Sequence, residues 1–166
     1  MIVLAPGTSL SDVVEGVLSK GLIQFDRMFR SRKHTTNGGV VNVAAGDTVV
    51  VSSVMPAPDL ETHDLLMIVY GCNGQKQATL GNVNGRFVKS AGTASVADLG
   101  CVGAADFTWN DVSAFNVVAR RGICFKNVTA GGTLTLDLVM TSTGSNFNVG
   151  GSQAFVDIFV LPYAAL

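Results

Sequence analysis

Asp59, Glu61 and His63 alternate along the chain, and Asp64 follows directly. In an extended segment alternate side chains share a face, so two carboxylates and an imidazole would point the same way and could hold a divalent cation. The histidine that would complete a convincing site is missing nearby. The other histidine is His34, and no His-x-His spacing occurs. A solvated loop ahead of the apolar run at Leu65 accounts for the cluster, and no metal is expected. Cys72, Cys101 and Cys124 could be drawn against His34 or His63 as a thiol and its base. None forms a Cys-x-x-Cys pair or lies in a nucleophile-elbow or papain-like context, and three cysteines beside apolar runs read as reduced, buried thiols. The phosphate-cradling glycine motifs are absent as well. The sequence therefore predicts no catalytic residue, no metal and no cofactor.

A second cluster is basic. Arg27, Arg30, Arg32, Lys33 and His34 interleave with Phe25, Met28 and Phe29, a mixture that can bind single-stranded nucleic acid. The net charge of -1 argues against direct nucleic-acid binding, which normally needs a basic surface. Docking on an acidic protein surface suits the cluster better. Residues 1–39 hold five basic and three acidic groups, a charge of +2, whereas residues 40–166 carry -3. Two further features are weighed alone. Trp109, near Phe107 and Phe115, reads as core, with ligand stacking as its alternative role. Asn127-Val128-Thr129 fits a glycosylation sequon, but Met1 to Leu10 lacks the basic and apolar regions of a secretory signal.

The elements that must position these residues are mostly strands. A short helix over Val13 to Lys20, capped by Asp12 and Glu15, is the one helical expectation. Gly21 to Phe29 then reads as an extended arm and Arg30 to Gly39 as a polar connector, so residues 1–39 form an arm and 40–166 a separate domain. Beyond residue 40, short apolar runs alternate with turn residues at a spacing of roughly ten. Strands are expected over Val40 to Val43, Thr48 to Val54, Leu65 to Cys72, Gln77 to Val83, Arg86 to Ser90, Asp106 to Trp109, Ser113 to Arg120 and Gly122 to Val128. Asn73-Gly74 and Asn84-Gly85 are expected as type I′ turns. Ala91 to Ala105 reads as a long loop with room for one weak strand, and Thr143 to Gln153 as a tip loop. Eight to ten strands without a helical crossover predict an all-β, antiparallel β-sandwich of the jelly-roll kind.

The last two strands differ from one another. Thr133 to Thr141 places Leu134, Leu136, Leu138 and Met140 on one face, with Thr133, Thr135, Asp137 and Thr141 on the other. The closing strand, Ala154 to Leu161, is apolar on nearly both faces: Ala154, Val156, Ile158 and Val160 suit the core, while Phe155, Phe159 and Leu161 surround Asp157 on the other side. Phe155, Asp157, Phe159 and Leu161 are therefore the expected oligomer interface. Asp157 then needs a partner, for which Arg120 or Arg121 is available. With 48% hydrophobic and only 14% charged residues, the chain has less charge than a free soluble domain usually carries. No uninterrupted apolar run of about 18 residues exists to span a membrane as a helix.

In this overall character, residues 40–166 resemble the small β-sandwich virion structural proteins of tailed bacteriophages, which decorate or cement capsids or form tail parts. The resemblance implies a non-enzymatic homo-oligomer, often a trimer, that binds the major capsid protein or another virion protein and resides in the virion after assembly in the host cytoplasm. Leu22, Ile23, Phe25, Arg27, Met28, Phe29, Arg30, Arg32 and Lys33 would then be the capsid-docking arm. The alternative is a receptor- or glycan-binding head of a phage fibre or a trimeric lectin-like module, with Trp109, Asn146, Phe147 and Asn148 contacting the ligand.

Overall fold

A computed structural model describes residues 29–55, 59–98, 106–112 and 117–162. Ten strands run through them: β1 (Ser31–Thr36), β2 (Val41–Val43), β3 (Thr48–Val54), β4 (Leu65–Lys76), β5 (Gly81–Ala91), β6 (Ser95–Asp98), β7 (Phe107–Val112), β8 (Val117–Ala130), β9 (Thr135–Ser142) and β10 (Phe147–Leu161). One sheet has the order β1-β10-β4-β8-β6, with β2 also pairing β10, and the other has the order β3-β9-β5-β7. Every pairing is antiparallel. From β2 onward successive strands alternate between the two sheets, while β3 to β5 pair back in nested fashion with β7 to β10. That is a long hairpin rolled on itself, the jelly roll expected from the sequence.

The core lies between the sheets. Leu66 and Ile68 of β4, Leu136, Leu138 and Met140 of β9, and Val156, Ile158 and Val160 of β10 are all buried, as the period-2 pattern requires. Tyr70 stacks on Phe107 at 4.5 Å between centroids, and Phe107 stacks on Trp109 at 4.9 Å. Phe147 meets the edge of Trp109 at 6.3 Å. Two charges are also buried here: Lys126 Nζ lies 2.6 Å from Asp106 Oδ1, each satisfying the other.

Several expected boundaries move. Asn73-Gly74 lies inside β4 and Asn84-Gly85 inside β5, so neither makes a turn. A β-carbon on Gly74 would stand 2.4 Å from the Phe147 ring, and one on Gly85 only 1.9 Å from the Phe107 ring. These glycines admit aromatic rings onto the strand, which is the other use of glycine in a sheet. The connector expected over residues 30–39 contains β1, paired with β10 from Ser31 opposite Val160 to Thr36 opposite Phe155. Arg32 and Lys33 are thus part of the sandwich sheet. The tip loop expected over residues 143–153 is shorter, because β10 already begins at Phe147. The expected helix over Val13 to Lys20 lies outside the described residues.

Candidate functional site: the outer face of the β1-β10-β4-β8 sheet

Opposite residues of neighbouring strands share a face, so the register gives the outer surface row by row. Arg32, Phe159, Met67 and Phe125 form one row across β1, β10, β4 and β8. The next contains His34, Asp157, Val69 and Ile123, and the one after it Thr36, Phe155, Gly71 and Arg121. Leu161, Leu65 and Asn127 make a fourth. Ile123 is 59% and Phe125 40% exposed, and the other large apolar side chains in these rows are half-buried. The expected interface residues Phe155, Asp157, Phe159 and Leu161 thus share one surface, opposite the buried Val156, Ile158 and Val160. Sequence reasoning missed Met67, Val69, Ile123 and Phe125. The signal was present in β8, where Ile123 and Phe125 alternate with Cys124 and Lys126 just as the two faces of β10 alternate.

One carboxylate sits within this surface. Asp157 is nearly buried, with its Oδ1 3.3 Å from Arg32 Nη2 and 2.9 Å from His34 Nδ1. Its described partners therefore come from β1, and Arg121, which lies within β8 and not at a strand end, is not among them. Arg121 instead places its guanidinium 5.8 Å from the Phe155 ring centre, and Arg32 lies 5.1 Å from that of Phe159. Phe29 packs on Phe159 at 5.0 Å.

The remaining candidates have structural roles. Arg30 pairs with Glu61 at 2.6 Å and with the buried Asp64, and donates to the Asp59 carbonyl at 3.1 Å. The acidic cluster is therefore tied to the start of β1, and among the described residues no group of three or more His, Cys, Asp or Glu is placed to hold a metal ion. Arg30 is consequently engaged within its own domain. Lys33 pairs with Ile158 on the inward-facing row. Leu22, Ile23, Phe25, Arg27 and Met28 lie outside the described residues. Trp109 and Phe147 are buried in the aromatic column, so neither can stack on a ligand. Asn146 uses its carbonyl to accept from Gln77 N, while Asn148 stands on the outer face opposite Gln75 and Asn42. Cys72 and Cys124 are buried and free, and burial pushes the Cys72 thiol up to about 12, far from a nucleophile's range. Cys101 lies outside the described residues.

No family model matches the chain, and no curated protein matches it. Among solved structures it is similar to the Eiger TNF of S. frugiperda, with a TM-score of 0.46 and 8% identity over 79% of this chain and 92% of that one. A likeness at that level assigns no function. Among the described residues, no helix is long and apolar enough to cross a membrane.

Proposed function

We propose that this protein is a non-enzymatic structural subunit that assembles as a homotrimer through the outer face of its β1-β10-β4-β8 sheet, and that it serves as a capsid decoration or cement protein. The observation that carries the reading is the contiguous apolar surface from Phe155 and Phe159 to Ile123 and Phe125, two of whose side chains are largely exposed. Full burial of each large apolar side chain stabilises by about 1.5–3 kcal/mol. The surface is also lopsided: Arg32, His34 and Asp157 lie on β1 and β10, whereas β8 carries the exposed Ile123 and Phe125 beside Arg121. A contact between unlike patches, the β8 side of one copy on the β10 side of the next, avoids setting the Arg32, His34 and Asp157 cluster on itself, and such contacts form a ring when the rotation between copies closes. A trimer, the state that the resemblance to phage β-sandwich proteins implies, is one such ring. The virion role rests on the resemblance of residues 40–166 to phage β-sandwich proteins.

Sedimentation at micromolar concentration tests the assembly. A species three times the 17.2 kDa chain mass is expected, and a stable 17.2 kDa species would overturn the proposal. The cement role is tested separately by mixing the protein with capsids of the phage that encodes it. Binding should raise the temperature at which they rupture, and failure to bind would remove that role.

A further inference from the structure

Beyond the Phe155 row the same outer face changes chemistry. Asn42, Asn148 and Gln75 stand in one row across β2, β10 and β4, with Asn73 two residues back along β4. A groove of about 290 Å³ opens here, lined by Asn73, Gln75, Asn148 and Gln153 with the backbone of Gly74 and Gly150 and the side chain of Val40. Among the described residues, none that lines it is charged.

A bulge in β10 shapes this groove. Val149 pairs with Gly74 and Ala154 with Cys72, so four residues of β10 stand against the single Asn73 of β4. Asn37, almost wholly buried, fixes the displaced chain. Its Nδ2 donates to Gly150 O at 2.7 Å and to Gly39 O at 2.8 Å, and its Oδ1 accepts from Ala154 N at 2.8 Å. Its carbonyl accepts from Ser152 N at 3.0 Å, and Ser152 holds a left-handed φ of 58°. A bulge braced in this way re-aims side chains, a use that bulges commonly serve.

The amides that it aims are set in complementary pairs. Asn73 Nδ2 donates to Gln153 Oε1 at 2.9 Å, and this joined pair of exposed amides still has one acceptor, Asn73 Oδ1, and one donor group, Gln153 Nε2, not used in that bond. Asn148 Oδ1 is covered and accepts no hydrogen bond among the described residues, so the hydrogen-bonding groups on the groove surface are those of the exposed Asn73, Gln75 and Gln153. Adjacent donor and acceptor groups match vicinal hydroxyls, each of which both donates and accepts. The absence of a lining charge disfavours anionic ligands, and Val40, 76% exposed, offers an apolar edge to the C–H face of a sugar ring.

From this arrangement we infer that the groove binds a neutral carbohydrate. Its volume is at the small end for ligand sites, which begin at roughly 300 Å³, and suits a terminal mono- or disaccharide unit. The binding does not require the assembly proposed above. The test is an array of neutral and acidic oligosaccharides probed with the full chain, followed by titration of the best ligand into Gln75→Ala, Gln153→Ala and Asn148→Ala. Gln75 and Gln153 are exposed, so their truncation leaves the fold intact. Retention of neutral glycans, with affinity at least tenfold weaker in Gln75→Ala or Gln153→Ala, is the expected result. No retained neutral glycan, undiminished affinity in all three variants, or retention only of acidic glycans or of peptides would overturn the inference.

Discussion

At the scale of single residues, buried polar groups set how stability responds to pH. Cys72 is 2% exposed, and its thiol is held up to about 12 against an ordinary value of 9.0. Below pH 9 the folded and unfolded chains both keep that proton. Between 9 and 12 only the unfolded chain releases it, so this cysteine contributes stability that declines as pH rises through that window. Lys76 acts in the opposite sense. It has no accessible surface, yet it stands at the end of β4, close to the rim of the sandwich. Its ammonium donates to the carbonyls of Thr143 and Ser145, and burial lowers its pKa from 10.5. The unfolded chain then binds the extra proton just below pH 10.5, so stability rises with pH there. Cys72→Ala should therefore lose less stability than the parent between pH 9 and 11 in urea melts. Equal slopes in the two proteins would show that the Cys72 thiol is not held in its neutral form. Burial of Cys72 was legible from its apolar neighbours, whereas nothing beside Lys76 in sequence announced that its partners would be carbonyls 67 and 69 residues away.

At the scale of elements, glycine decides where strands continue. Asn-Gly is a strong hairpin signal, but in both β4 and β5 the glycine follows from a ring on another strand. The sequence does not contain that information locally, because Phe107 and Phe147 lie far along the chain from Gly85 and Gly74. Gly85→Ala should accordingly destabilise by about 1–3 kcal/mol through overpacking, since Phe107 is held between Tyr70 and Trp109 and cannot swing aside freely. Gly46→Ala is the control. Nothing stands within 4 Å of a β-carbon there, and the change should be neutral or stabilise by up to about 1 kcal/mol. Urea midpoints that fail to separate the two variants would refute the role assigned to Gly85. β1 was hidden for a related reason. Ser31–Thr36 carries no apolar alternation, because an edge strand can be held by its backbone and by polar ties such as Thr35 Oγ1 to Ser53 Oγ at 2.8 Å. The strands of β3, β9 and the second half of β10 were legible because each presents a buried apolar row.

At the scale of the whole molecule, the β1-β10-β4-β8 sheet has two apolar faces where a lone sandwich needs one. The inner face closes the core with Leu66, Ile68, Val156, Ile158 and Val160, and the outer face carries Met67, Val69, Phe155, Phe159 and Phe125. The composition pointed to this surplus, and β10 located half of it. The other half lay on β4 and β8, which only the strand order brings alongside. Two neighbouring substitutions separate the roles of the faces. Ile158→Asp places a charge in a fully buried site among apolar side chains, where even the neighbouring Lys33 leaves its desolvation largely uncompensated, and should abolish the folded state. Phe159→Asp places the same charge on a half-exposed row, beside Arg32, where the isolated subunit can solvate it. It should leave the β-sheet circular dichroism and cooperative melting of the parent while shifting the sedimenting species toward 17.2 kDa. A Phe159→Asp protein that stays assembled would move the contact to another surface. One that unfolds like Ile158→Asp would return Phe159 to the core and remove the physical basis for the trimer.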